Sequence, residues 1–160
     1  MKVYVESIFD CPPDRVWAEL QSPSLLIEVM QPLARVRPVE PAVFPERWEE
    51  GKTVYCYCWI LGIIPIGRRR LHLERIDGNK MEIQSRESDP VVKRWDHLIK
   101  VEPAEGARTR YSDSIEIDAG ILTPFVWLWA KGFYLHRQRR WRKIVVPRIA
   151  ATGIHKELTF

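Results

Sequence analysis

The sequence predicts an α+β protein in which a curved, strand-rich body wraps around one long C-terminal helix. Three observations carry this. From Lys52 to Asp118 the chain reads as consecutive strands separated by short turns. Thr123-Pro124 then opens a helical segment that runs to about Val146. No Asp or Glu occurs from Ala119 through Lys156, while Lys131, Arg137, Arg139, Arg140, Arg142, Lys143 and Arg148 fall in that stretch. A terminal helix of this length must lie across something large and apolar, and the strand-rich body is the only candidate. A helix gripped by a sheet leaves space between the two.

The elements follow in order. Lys2 to Asp10 alternates as a strand and is broken by Cys11-Pro12-Pro13. Asp14 begins a short helix, Arg15 to Leu20, with Val16, Trp17 and Leu20 on one side. After Ser22-Pro23, Ser24 is placed to cap a second short helix, Leu25 to Met30, ended by Pro32. Leu33 to Val39 reads as a strand and Glu40 to Gly51, with two prolines and several charges, as a loop. Strands are then expected at 53–61, 68–76, 80–87, 92–101 and 108–118. Gly62 to Gly67 is expected to turn, and Asp77-Gly78-Asn79 is a hairpin signal.

At 100° per residue, Val126, Ala130, Phe133, Trp141 and Ile144 cluster on one side of the terminal helix. Arg139, Lys143 and His136 lie opposite, but Arg137 falls at the centre of the apolar face. Gly132 inside the helix costs about 1 kcal/mol relative to Ala. A close approach to the sheet, or a bend over the cavity, would account for it.

At 160 residues the chain is long enough for a sizeable core, and it reads as one domain over 1–150 followed by a tail, 151–160. Hydrophobic content of 46% and charged content of 29% are those of a globular chain. The net charge of +4 is smaller than the basic surplus of the terminal helix, so the body is mildly acidic. The basic stripe reads first as a solvated face; an anionic membrane surface is the alternative partner, and nucleic acid is not expected. The three cysteines, Cys11, Cys56 and Cys58, do not form a disulfide framework. Cys56 and Cys58 share one face of a strand, at neither zinc nor redox spacing, so no metal is expected. The N-terminus alternates without an apolar core, so no targeting signal is expected and the cytoplasm is the simplest location.

Strand alternation also places polar groups inward. Tyr111, Asp113, Ile115 and Ile117 share a face, as do Trp95, His97, Ile99 and Val101, and Met81, Ile83, Ser85 and Glu87. Glu87, His97, Asp113 and Arg137 are therefore expected to line one apolar interior. A buried charge needs a partner, and Arg137 with Asp113 is the natural pair. No Ser-His-Asp order, metal-ligand helix motif, phosphate loop or dinucleotide fingerprint is present.

These segments resemble the SRPBCC superfamily, the START-related helix-grip proteins that include polyketide cyclases, lipid carriers and pollen-allergen-like binders. Ile8 to Trp17 resembles the first strand and helix, where a Pro precedes a Val-Trp pair. Trp95-Asp96-His97 resembles a Trp-x-His strand of one bacterial branch, Tyr111 to Glu116 the following Thr-Asp-Arg-Ile/Val-Glu strand, and Tyr134 to Gln138 a Tyr-Arg-His region of the last helix. Ile99 stands where that branch often has a second His, and Tyr134 and Arg137 are separated by two extra residues. The resemblance implies a helix-grip fold of about seven antiparallel strands, β-α-α-β6-α, with a hydrophobic cavity between sheet and helix. It implies small-molecule binding before catalysis, because this fold hosts many functions.

The leading reading is binding or transport of a small hydrophobic or amphipathic molecule without a cofactor. Glu87, Trp95, His97, Tyr111, Asp113, Phe133, Arg137 and Trp141 are the expected ligand-binding residues. The second reading is a cyclase, aromatase or dehydratase acting on a carbonyl-bearing substrate, with His97 as its candidate acid or base. The third is a membrane-associated lipid or quinone chaperone, using Trp127, Trp129 and the basic run from Arg137 to Lys143.

Overall fold

The computed structural model describes residues 1–157, with side chains placed through Ala151. Strand β1 (Lys2–Phe9) is followed by helices α1 (Pro13–Leu20) and α2 (Pro23–Met30). Strands β2 (Ala34–Glu40), β3 (Thr53–Ile60), β4 (Ile64–Asp77), β5 (Glu82–Ser88), β6 (Arg94–Ala104) and β7 (Arg108–Asp118) come next. A single 3₁₀ turn, Gly120–Leu122, leads into α3 (Thr123–Arg140). All seven strands form one antiparallel sheet in the order β1-β7-β6-β5-β4-β3-β2. The α1–α2 pair carries the chain from one edge of this curved sheet to the other, and α3 lies across its concave face. This is the helix-grip architecture that the strand count and the terminal helix predict.

The sheet follows the side-chain period of two. Along β7, Thr109, Tyr111, Asp113, Ile115 and Ile117 are all fully buried, and along β6 Trp95, His97, Ile99 and Val101 are buried. Two apolar clusters fill the space under α3. One gathers Phe9, Tyr111, Trp141 and Val145 against α1 and α2, and the other gathers Val5, Trp95, Ile115, Ala130 and Phe133.

The largest boundary difference among the strands is in β4, which starts at Ile64 rather than at 68, because the turn closes within Leu61–Ile63. Gly67 therefore lies inside the strand. There a register shift between Cys58 and Trp59 gives it φ +109°, and the Pro90 ring sits 3.2 Å from where a Cβ would be. The Asp77 hairpin forms as expected, with Asp77 Oδ1 accepting the Asn79 and Lys80 amides at 3.0 Å each. Ser24 does not cap α2. The N-cap position is Ser22, and the two hydroxyls bond each other at 2.7 Å. Thr123 is the first residue of α3, and Leu122 stands at the cap position. The Thr123 hydroxyl accepts the Ala119 amide at 2.9 Å and donates to the Gly120 carbonyl at 2.7 Å, which fixes the turn into the helix.

The terminal helix is not broken at Gly132. It continues beyond Val146 through a π-helical turn, Trp141–Val145, into α4 (Val146–Glu157). Pro147 has no amide and its ring would collide with a carbonyl one turn earlier, so the wider turn just before it is where that strain is taken up. The expected tail 151–160 begins inside this helix, and residues 158–160 lie outside the described region. Gly132 does not serve a close approach to the sheet: a Cβ there would meet nothing within 4 Å. Gly132→Ala is accordingly expected to stabilise the fold by about 0.4–1 kcal/mol in urea denaturation. A loss of stability would mean that Gly132 has a backbone role which the helix geometry does not reveal.

Candidate functional site

A cavity of about 390 Å³ lies between the concave face of the sheet and α3. Leu71, Leu73, Ile83 and Ile99 line it from the sheet, and Trp129 and Phe133 from the helix. Phe125 and Val91 both border it and are exposed, which places its opening between the first turn of α3 and the β5–β6 connection.

The sequence-predicted residues divide into two groups. Glu87, Trp95, His97, Phe133, Arg137 and Trp141 are on the cavity wall. Tyr111 and Asp113 are fully buried behind it. Tyr111 packs between Phe9, at 5.3 Å, and Trp141, at 5.4 Å, and burial pushes its hydroxyl pKa well up. Asp113 is roofed by the side chains that bond it.

Those bonds correct the expected ion pair. Register sets His97 opposite Ile115, which makes Asp113 its diagonal neighbour across β6 and β7. His97 Nε2 meets Asp113 Oδ1 at 2.8 Å, and Gln138 Nε2 donates to Asp113 Oδ2 at 2.9 Å and to the Val5 carbonyl at 3.0 Å. Tyr111 adds a longer bond of 3.4 Å to Oδ1. It is Gln138, not Arg137, that ties the helix to the Asp113 carboxylate. Burial alone would raise the Asp113 carboxyl, but the Arg137 charge and the bonds from His97 and Gln138 outweigh it and hold it below its ordinary value.

A directional relay runs from the wall to this carboxylate. Trp95 Nε1 donates to the Tyr134 hydroxyl at 3.2 Å, and that hydroxyl lies 3.4 Å from His97 Nδ1. With Nδ1 accepting from Tyr134, Nε2 carries the proton that faces Asp113, and Glu87 Oε1 lies 4.0 Å from Nδ1.

Arg137 is 4% exposed, yet no ion pair or hydrogen bond reaches its guanidinium among the described residues, and its Nε has no partner. Its contacts are the faces of Tyr134, at 5.0 Å from the ring centre, and Phe133, at 6.0 Å. Burial works against the charge, but the field of Asp113 and its neighbours prevails and the guanidinium stays protonated.

Three participants are not singled out by the sequence reading. Tyr134 follows Ala130 by four residues and precedes Arg137 by three and Trp141 by seven, so helical spacing alone places it on the buried face. Gln138 carried no such signal. Arg69 sits in Arg68-Arg69-Arg70, which reads as a solvated run, but it is in phase with Leu71 and Leu73. It bonds Glu87 at 2.9 Å, forms a short contact with Asp89, and lies 4.8 Å over the Trp95 ring. Glu87 also accepts from the Ser85 hydroxyl at 2.8 Å. Cys56 and Cys58 share a face as expected, with their sulfurs 3.7 Å apart on the cavity wall.

Of the basic stripe, Arg139, Arg142 and Lys143 are exposed, while Arg140 is half-buried and reaches the Glu28 carbonyl at 3.4 Å. Arg139 lies fourteen residues along the helix from Phe125, about 21 Å. The stripe and the cavity opening are therefore apart. No helix among the described residues is long and apolar enough to cross a membrane, and no cluster of metal-ligating side chains occurs among them.

A seven-stranded sheet closed over a long helix, with an apolar cavity between them, defines the helix-grip fold. Residues 7–145 match the family described as Domain of unknown function (DUF8410), and the chain belongs to it. No curated protein matches it. Among solved structures, it is similar to the Zhui aromatase/cyclase from Streptomyces sp. R1128, with 16% identity, a TM-score of 0.62, and coverage of 94% of this chain and 93% of that one. It is similar to truncated norcoclaurine synthase from Thalictrum flavum, with 13% identity, a TM-score of 0.66 and coverage of 91% and 92%. It is also similar to Ara h 8.0201, with 12% identity, a TM-score of 0.60 and coverage of 94% and 98%. At these identities the likeness is one of fold.

Proposed function

We propose that this chain is a ligand-binding member of the SRPBCC superfamily that holds a small hydrophobic or amphipathic molecule between its sheet and α3. The observation that carries this is the cavity itself. It is apolar over most of its wall, and its few polar groups (Glu87, Trp95, His97 and Arg137 among them) lie together on one part of it. Sparse polar groups on apolar walls are the ordinary design of small-molecule sites.

The enzyme reading is second. The 2.8 Å contact between His97 and Asp113 favours it, since that arrangement orients an imidazole. Against it, Nδ1 of His97 faces the Tyr134 hydroxyl, so a cyclase, aromatase or dehydratase step would need Tyr134 to give up this contact first. Binding needs no such change.

The neutral apolar dye N-phenyl-1-naphthylamine tests the binding reading. Its fluorescence is expected to rise on addition of the native protein, saturably, and the rise is expected to be lost in Leu73→Trp, which fills the cavity from the sheet side. An unchanged response in a folded Leu73→Trp variant would place the dye elsewhere and remove this support. Native mass spectrometry of freshly purified protein gives the independent measurement, a bound small molecule released by organic solvent.

A further inference from the structure

We infer that the ligand carries a carboxylate, and that Arg137 with the indole N–H of Trp141 receives it. The inference rests on the cavity being the ligand site and adds the chemistry of the ligand's polar end.

Two donors on the cavity wall lack acceptors. Arg137 is 4% exposed with Nε unpartnered, and Trp141 is fully buried with Nε1 unpartnered. They stand four residues apart, on one face across the junction of α3 and the π-helical turn, and both border the cavity. Buried donors without acceptors are rare because each costs the free energy of its lost water. For a guanidinium the cost is larger still.

The neighbouring carboxylates do not fill this need. Asp113 is occupied by His97, Gln138 and Tyr111, and Glu87 by Arg69 and Ser85. They supply a negative field without supplying acceptors. One negative charge on the guest, in contact with Arg137, is matched by the single guanidinium charge. The planar fork of a guanidinium fits two carboxylate oxygens. Arg137 follows Phe125, at the opening, by twelve residues, about 18 Å along the helix. An acidic head beside Arg137 therefore puts the apolar body of the ligand along Phe133 and Trp129, pointing toward the opening.

Decanoate and decan-1-ol, titrated at pH 7.5 against the intrinsic tryptophan fluorescence, test this. Charge-assisted hydrogen bonds predict that the native protein binds decanoate at least ~10-fold tighter than the alcohol. In Arg137→Met the ratio is expected to fall to about one, and in Arg137→Lys, which keeps the charge and loses the fork, to an intermediate value. Equal affinity of the native protein for acid and alcohol overturns the carboxylate inference and leaves the cavity reading standing. A preference that survives in folded Arg137→Met also overturns it. Binding of neither compound overturns both. Should Arg137→Met fail to fold, the native ratio and its reduction in Trp141→Phe decide the matter.

Discussion

Asp113→Ala is expected to destabilise the protein by about 3–5 kcal/mol at pH 7 in urea denaturation, the largest effect of any single change on the cavity-facing strands. The carboxylate is fully buried and is the common acceptor for His97, Gln138 and Tyr111. Its removal orphans those donors. It also removes the negative charge that favours the protonated guanidinium of Arg137. Glu116 is three residues further along β7, on the other face, and pairs with Arg94 at 3.0 Å in solvent. Glu116→Ala is expected to cost about 1 kcal/mol or less. A loss below that size for Asp113→Ala would place the carboxylate outside any network that matters.

The same group contributes to the acid limb of stability. Its pKa in the folded chain is lowered, so the unfolded chain takes up protons first as pH falls. The Asp113 contribution is thus fully present above about pH 4, the unfolded carboxyl range, and is lost as pH drops through the lower folded value. In Asp113→Asn the acid limb is expected to be shallower than in the native protein. Parallel limbs would contradict the lowered pKa.

Trp141→Ala is expected to cost about 3–5 kcal/mol. The side chain is fully buried, stacked on Phe9 with ring centres 5.6 Å apart and tilted on Tyr111 at 5.4 Å. It joins the first strand, the last strand and the π-helical turn, so a truncation leaves a void that no one element can close. Trp141→Phe keeps an aromatic ring in that stack and loses only an indole N–H that has no acceptor in the protein. Its cost is expected to be under about 1.5 kcal/mol. Equal, small losses for the two variants in thermal or urea unfolding would mean that the Phe9–Tyr111–Trp141 stack does not hold the helix to the sheet.

The inward faces of β5, β6 and β7 were legible from the chain because a strand puts every second side chain on the same side, and the register did not alter that. His97 and Arg137 were legible as buried polar residues for the same kind of reason, each standing at a fixed phase within its own element. Tyr134 and Arg69 were legible in principle but were masked, one by an already crowded helix face and the other by flanking arginines. The π-helical turn was not legible. It depends on how Pro147 is accommodated in a helix already pinned to the sheet by Trp141.

The sequence by itself determined the order of elements, the alternation that makes one face of the sheet apolar, and the helix phase that buries Arg137. Those are local periodicities, set by 3.6 residues per helical turn and two per strand repeat. Only the tertiary structure decided which residue of the helix meets Asp113. That depends on how far α3 is shifted along the sheet and how it is rotated, and a step of one residue turns a side chain by about 100°. The shift observed gives Asp113 to Gln138 and leaves Arg137 facing the cavity without an acceptor.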